Sequence, residues 1–288
     1  MYLRTCILVY LYTISMLHKF PFPKLANWRE TRETLHAYSK VLGAIRGAFA
    51  PEQPRWQHVS LRLYTAGVTT TPIPHPDDPK KNFSLSLDLL NHYILLSSND
   101  GSVQQFRMSE GWSANQLGEE LLGKLAKLGV HGKVDKTKYE SDEPRSYALD
   151  AAERYFTALT HMGRLLQQFR NGLPGEKDPI QFWPHDFDLA FVLLGNQQVK
   201  TMEGEFRSQI TFGFSPDDPG QPSPYVYSTP FPFEEAITHN QLPDGAVWHT
   251  AIWQGALLPY PEVAEKADGE QRVLEFLDAA YEFEKTLI

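Results

Sequence analysis

The sequence predicts an α+β fold with mainly antiparallel sheet, built as two similar helix–strands–helix halves around a shared core. Three observations predict it. Helical apolar stripes open and close each half of the 288-residue chain, and runs that alternate apolar with polar residues lie between them. Several of those runs are joined by short turns, which make antiparallel neighbours and cannot make parallel crossovers. Finally, Leu35, Leu42, Gly43, Ile45 and Phe49 recur at one constant offset as Tyr155, Met162, Gly163, Leu165 and Phe169, the mark of an internal duplication. Trp56-Gln57-His58 and Trp183-Pro184-His185 extend that match.

Taken in order, residues 1–19 form an apolar leader. Its hydrophobic stretch is too short to span a bilayer unaided and reads either as a signal-peptide core or as an extended start. Residues 20–135 are the first half. Asn27 and Glu30 resemble a capping box, and Leu35, Tyr38, Leu42, Ile45 and Phe49 make the stripe of a helix that Pro51 and Pro54 end. Gln57 to Thr65 and Phe83 to Leu89 alternate as strands should. Asn99-Asp100-Gly101 joins a hairpin. Ser113, with Gln116 at the capping-box position, starts a helix to about Leu128, and Val130 to Asp135 adds a strand. The charged, apolar-poor residues 136–146 read as a linker.

Residues 147–288 are the second half, one compact unit with the first. A long helix covers about Leu149 to Arg170. Strands follow at Gln181 to Gly195, Ser208 to Phe214, Tyr225 to Ser228 and Val247 to Leu258. A last helix is capped by Asp268.

Composition excludes several function classes. A net charge of −8 without a basic run argues against nucleic acid as a partner. The single Cys6 rules out an intrachain disulfide and any multi-cysteine site, and fits a cytoplasmic location. Export, or a membrane partner, enters only if residues 1–17 are a genuine signal or anchor. The chain has no GxGxxG after a strand, no Walker loop, no G-x-S-x-G and no CxxC, so no nucleotide or iron–sulfur cofactor is expected. A divalent metal is the cofactor the carboxylates leave open.

The densest chemistry lies in Gln181 to Gly195, QFWPHDFDLAFVLLG. Two carboxylates and an imidazole start an otherwise apolar run, and burying them unpaired costs several kcal/mol. In one continuous strand Asp186 and Asp188 share a face, a pair able to hold a hard cation or act as a general base. The structural alternative pairs one of them with Arg62 or Arg207. Asp188, Asp186, His185 and His58 are therefore the catalytic candidates, with Asp186, Asp188 and His185 as candidate metal ligands and His249 a further histidine that could converge on them. Trp56, Arg62, Tyr64, Trp183, Tyr225 and Tyr227 are candidates to line an aromatic ligand cleft. A bulge near Pro184 is expected, to reconcile the parity of His185 with that of His58.

Trp28 with TLHAYSKVLGAIRGAFAP, then HVSLRLYTAGVTTTPIP, FWPHDFDLA and ALLPYPEV together resemble a family known only as a domain of unknown function. The resemblance covers roughly residues 20–288. It implies a soluble protein whose leader is an extended start, and it supplies no activity. It also implies that F-D-L-A is the characteristic part of the focal segment, which favours Asp188 over His185. Two functions are expected from these readings: a non-catalytic protein binding a small molecule or partner in the aromatic cleft between its halves, or a metal-assisted hydrolase or transferase using Asp186 and Asp188 with His58 or His185.

Overall fold

The computed structural model describes residues 21–217 and 223–288; the apolar leader lies outside them. Helix α1 (Arg29–Phe49) buries Leu35, Tyr38, Leu42 and Ile45 as its stripe requires. It starts without the expected Asn27–Glu30 cap. Trp28 holds the cap position with no side-chain bond, and Asn27 turns through a left-handed φ of 53°. The reason is tertiary: the turn lays the Trp28 ring on Tyr155, 4.9 Å between centroids.

Six strands form the first sheet: β1 (Arg62–Tyr64), β2 (Gly67–Thr69), β3 (Ile73–Pro74), β4 (Asn82–Asp88), β5 (Tyr93–Ser98) and β6 (Val103–Arg107). Their order is β1-β2-β4-β5-β6, with β3 also on β4, and every pairing is antiparallel. The expected strand from Gln57 to Thr65 begins as a 3₁₀ turn, Pro54–Val59, and becomes strand only at Arg62–Tyr64. Pro54 sits at its start, where a helical turn tolerates it, and the left-handed Arg55 and Trp56 break the extended backbone.

Helix α2 (Ala114–Lys127) carries the predicted capping box between Ser113 and Gln116. Val130 to Asp135 is irregular; Val130 and Val134 are buried there without a ladder. The expected linker, residues 136–146, is docked rather than free. The Asn115 amide donates to the Ser141 carbonyl (3.1 Å) and that of Arg145 to Gly111 (3.3 Å), while Tyr139 is buried.

The second half opens with α3 (Leu149–Gly172). Its sheet holds β7 (Gln181–Trp183), β8 (Asp188–Thr201), β9 (Gly204–Ser215), β10 (Tyr225–Phe231), β11 (Val247–His249) and β12 (Gly255–Pro259), in the order β11-β12-β10-β9-β8-β7. The predicted Val247–Leu258 strand is thus a hairpin. Helix α4 (Gly269–Glu284) follows, and Asp268 pairs with Arg272 at 2.9 Å instead of capping it. On one face of this sheet Leu189, Phe191 and Leu193 register with Phe214, Phe212 and Ile210. That face is buried, and Phe169 of α3 meets Phe212 edge-on at 4.9 Å. Behind β10, Ser228 donates to the buried Glu284 of α4.

The chain is therefore α+β with antiparallel sheets, as predicted. The two sheets meet edge to edge through one pair, Leu61 and Phe182, which exchange backbone hydrogen bonds of 2.7 and 3.0 Å. A single apolar cluster runs through both halves. Both halves run helix, antiparallel sheet, helix, but the two Trp-x-His segments do not correspond. Trp56 and His58 lie in the 3₁₀ turn before β1, whereas Trp183 ends β7 and His185 lies beyond it.

Gly43 and Gly163 do work in packing. A Cβ on Gly43 would stand 2.8 Å from the ring carbons of Pro184, and one on Gly163 2.7 Å from Leu63. Each helix thus presses on a hairpin of the opposite half. Gly43→Ala should lower stability by about 1–3 kcal/mol in denaturant unfolding, because the proline ring cannot swing aside. Gly123→Ala on α2, with nothing within 4 Å, should instead be neutral or raise stability by up to about 1 kcal/mol.

Candidate functional site

The focal segment is a hairpin, not one strand. β7 ends at Trp183, β8 starts at Asp188, and these two residues are paired. Between them Pro184, His185, Asp186 and Phe187 turn the chain, closed by the Phe187 amide on the Trp183 carbonyl at 2.8 Å. Phe187 takes a left-handed φ of 58°, which an aromatic residue adopts only when its surroundings demand it. They do: its buried ring stacks on Tyr155 at 5.4 Å and on His36 at 5.3 Å, and meets Phe182 edge-on at 5.2 Å. The expected bulge at Pro184 is this turn; the register shift in β8 lies between Leu194 and Gln198.

Helix α1 fixes the turn from above. His36 Nε2 donates to the His185 carbonyl (2.9 Å), and Ser39 Oγ reaches the Pro184 carbonyl (3.4 Å). Burial, with Lys40 next, lowers the His36 pKa to about 4, so this ring is neutral at physiological pH.

The turn separates the two carboxylates. Asp186 is at its exposed tip, bonded to His185 Nε2 at 3.1 Å. That bond raises the pKa of His185 and lowers that of Asp186. Asp188 lies at the foot of the turn and is only 6% exposed. Neither expected arginine answers it. Arg62 donates to the Ile180 carbonyl (3.0 Å) and Arg207 to the Gly195 carbonyl and Glu176. The partner is Tyr227, whose hydroxyl donates to Asp188 Oδ2. Oδ1 is buried with no hydrogen-bond partner. Burial raises the Asp188 pKa to about 7, against the opposing pull of the Tyr227 bond.

Sheet register explains the reach of Tyr227. Ala190 of β8, Gly213 of β9 and Tyr227 of β10 are successive cross-strand partners. The phenol lies across Gly213, where a Cβ would come within 2.6 Å of Tyr227 Cζ and its hydroxyl oxygen. Only glycine lets a side chain from β10 pass over β9 to β8.

This face of the second sheet is the floor of two cavities. One, about 680 Å³, is bordered by α1 at Lys40, Gly43 and Ala44, by Arg55, Trp56 and Val59, and by Trp183, Ala190, Val192 and Thr211. The other, about 1050 Å³, is bordered by Trp28, Arg32, His36, Tyr225, Trp253 and neighbours. Both include His185, Asp186, Asp188 and Tyr227, so the 184–187 turn stands between them.

Of the sequence candidates, Asp186, Asp188, His185, Trp56, Trp183, Tyr225 and Tyr227 gather here. Trp56 is 70% exposed and forms rim rather than floor. Arg62, Tyr64 and His58 line neither cavity. His58 Nδ1 accepts from the Gln53 amide (3.2 Å), and His249 stacks on Trp253 at 4.3 Å. Among the described residues no group of three or more His, Cys, Asp or Glu is placed to hold a metal. His36 and Lys40 were missed. Their signal was a polar i, i+4 pair flanking the apolar stripe of α1, with Gly43 three residues beyond.

The model of a family of unknown function, DUF5996, matches residues 20–287. The chain belongs to this family. No curated protein and no solved structure matches it. In this DUF5996 chain, then, the site has to be read from its own geometry. Among the described residues no helix is long and apolar enough to cross a membrane.

Asp188 and Glu284 make stability depend on pH with a definite sign. Burial raises their pKa values to about 7 and about 8, whereas unfolded carboxyls titrate near 4. Between those limits the folded chain binds more protons than the unfolded one. Their contribution is therefore full below about pH 4 and is lost as pH rises toward 8, at about 1.4 kcal/mol per pH unit for each group. Asp188→Asn and Glu284→Gln should match the wild type in unfolding experiments in mild acid and exceed it in mild alkali. Equal slopes in wild type and variants would show that neither acid is held protonated.

Proposed function

We propose that the chain binds a small molecule in the cleft between its halves, with Asp188 as the polar anchor. One observation carries this: Asp188 Oδ1 is buried, unpaired, and on a residue that borders an open cavity. A buried acceptor left unmatched costs about 1–3 kcal/mol; Oδ1 is shut from solvent, so a ligand donor removes that cost only by displacing the side chains that cover Asp188 on the cavity side. The aromatic and small apolar walls, and a volume within the range of small-molecule sites, support the reading. Such a role fits a chain kept in a reducing, cytoplasmic setting, with no nucleic acid involved.

Trp183 and Trp56 on the cavity border report binding directly. A fragment screen read by tryptophan fluorescence should yield ligands whose affinity falls about tenfold or more in Tyr227→Phe or Asp188→Leu, with the fold intact by circular dichroism. Ligands indifferent to both changes would place binding elsewhere.

A second reading is an enzyme, favoured by the Asp188 pKa of about 7, a value suited to proton transfer at neutral pH. Asp188 would act as general acid or base beside Tyr227, with His185 and Asp186 at the mouth. The metal-assisted form would need Asp186 and Asp188, which the turn separates, to converge on one divalent ion. A melting shift with Mg²⁺ or Mn²⁺ in wild type that disappears in Asp188→Asn supports that form; no shift in wild type removes it.

A further inference from the structure

Although the chain carries a net charge of −8, the smaller of the two cavities beside the turn is bordered by Lys40, Arg55 and Lys138 as well as His185. Arg55 is committed, its Nε donating to Asp178 at 2.8 Å. Lys138 is exposed. Lys40 is different. It stands on α1 one turn before Gly43, half-buried, with no hydrogen bond or ion pair to any described residue. The charged and titratable groups that bear on it are Asp186, Arg145, His36 and His185. Asp186, the one anion among them, is already bonded to His185 at 3.1 Å. Burial lowers the pKa of Lys40 with only partial relief from Asp186, so its ammonium lacks a dedicated counter-charge.

The same cavity therefore borders two polar groups with unmet needs of opposite kind. Lys40 offers donors and positive charge. Asp188 Oδ1 offers an acceptor. Much of the remaining lining is apolar or aromatic: Ala44, Val59, Ala190, Val192 and Trp183, with Thr211 a polar exception. We infer that the ligand is a monoanionic carboxylate on a compact apolar or aromatic body, its carboxylate received by Lys40 and a hydroxyl or N–H group at its far end donated to Asp188. A carboxylate fits better than a phosphate, because Arg55 is engaged by Asp178 and Lys138 is exposed, which leaves Lys40 as the one half-buried ammonium, with no glycine-rich loop to cradle a dianion. The inference rests on the small-molecule reading above.

Three probes of one shape separate the possibilities: 4-hydroxyphenylacetate, its amide, and tyramine. They share a phenol and differ at the other end as anion, neutral group and cation. Tryptophan fluorescence titrations of the full chain should show binding of the acid, weakened by added salt, and binding of the amide and amine weaker by about tenfold or more. Lys40→Met should abolish the preference for the acid, and Lys40→Arg should restore part of it, with unchanged melting temperatures showing that the fold survives. Equal binding of acid and amide, a preference for tyramine, or an unchanged preference in Lys40→Met each overturns the inference. If all three probes bind alike and all lose affinity in Tyr227→Phe, the cleft reading stands while the anion inference falls. If none binds, the inference falls, and the cleft is judged by the fragment screen alone.

Discussion

The ring of Phe187 leaves water for the slot between Tyr155 of α3 and His36 of α1. Filling that slot forces a left-handed backbone at an aromatic residue, a conformation that costs on the order of 1–3 kcal/mol. Ring stacking on both faces, with Phe182 against its edge, offsets the cost. Once Phe187 is seated, the peptide direction through the turn is settled. His185 and Asp186 are thrown outward, and Asp188 is drawn beneath the turn. The neutral His36 ring serves twice, as a stacking surface and as a donor to the His185 carbonyl.

The chemistry of Asp188 is a consequence of that seating together with one absent side chain. With Gly213 clearing the path, Tyr227 satisfies one carboxylate oxygen and shields the group from solvent, while the other oxygen is left unanswered. An arginine in place of the tyrosine would hold the carboxylate ionised. A neutral phenol instead leaves burial dominant, which is why the acid titrates near neutrality rather than near 4. Glu284 shows the same balance on the opposite face of the sheet, with Ser228 as its weak donor. The two acids differ in what they adjoin: Asp188 a cavity, Glu284 closed core.

Much of the architecture was legible in the sequence. Among the described residues periodicity placed the four α-helices, Asn99-Asp100-Gly101 marked its hairpin, and Ser113 with Gln116 announced its cap, because each is decided within a few residues. The focal segment misled for a physical reason. Trp183, Asp186 and Asp188 alternate as a strand would, and nothing local says that Phe187 turns left-handed for the sake of rings supplied by two distant helices. The same holds for Asn27 and Trp28, where a plausible cap gave way to a stack on Tyr155. Asp188 stood out as a carboxylate heading an apolar run. Its partner could not be read, since Tyr227 reaches it only through a three-strand register and a glycine far away in the chain. Arg62 and Tyr64 alternate convincingly as cleft residues, yet their strand is three residues long and lies beyond the cavities.

The edge-to-edge meeting of the two sheets bears on which strand edges the chain leaves open. An open sheet border offers unpaired amides and carbonyls to any passing strand, a common route to aggregation. Here the borders formed by β1 and β7 cover one another through Leu61 and Phe182, so each half shields a vulnerable rim of the other. The remaining rims are poor templates. β6 reads VQQFR, with glutamines and an arginine to keep it wet, and β11 is only three residues long. Separating the halves would thus do more than open a cleft: it would leave the backbone groups of Leu61 and Phe182, which answer one another in the folded chain, without partners.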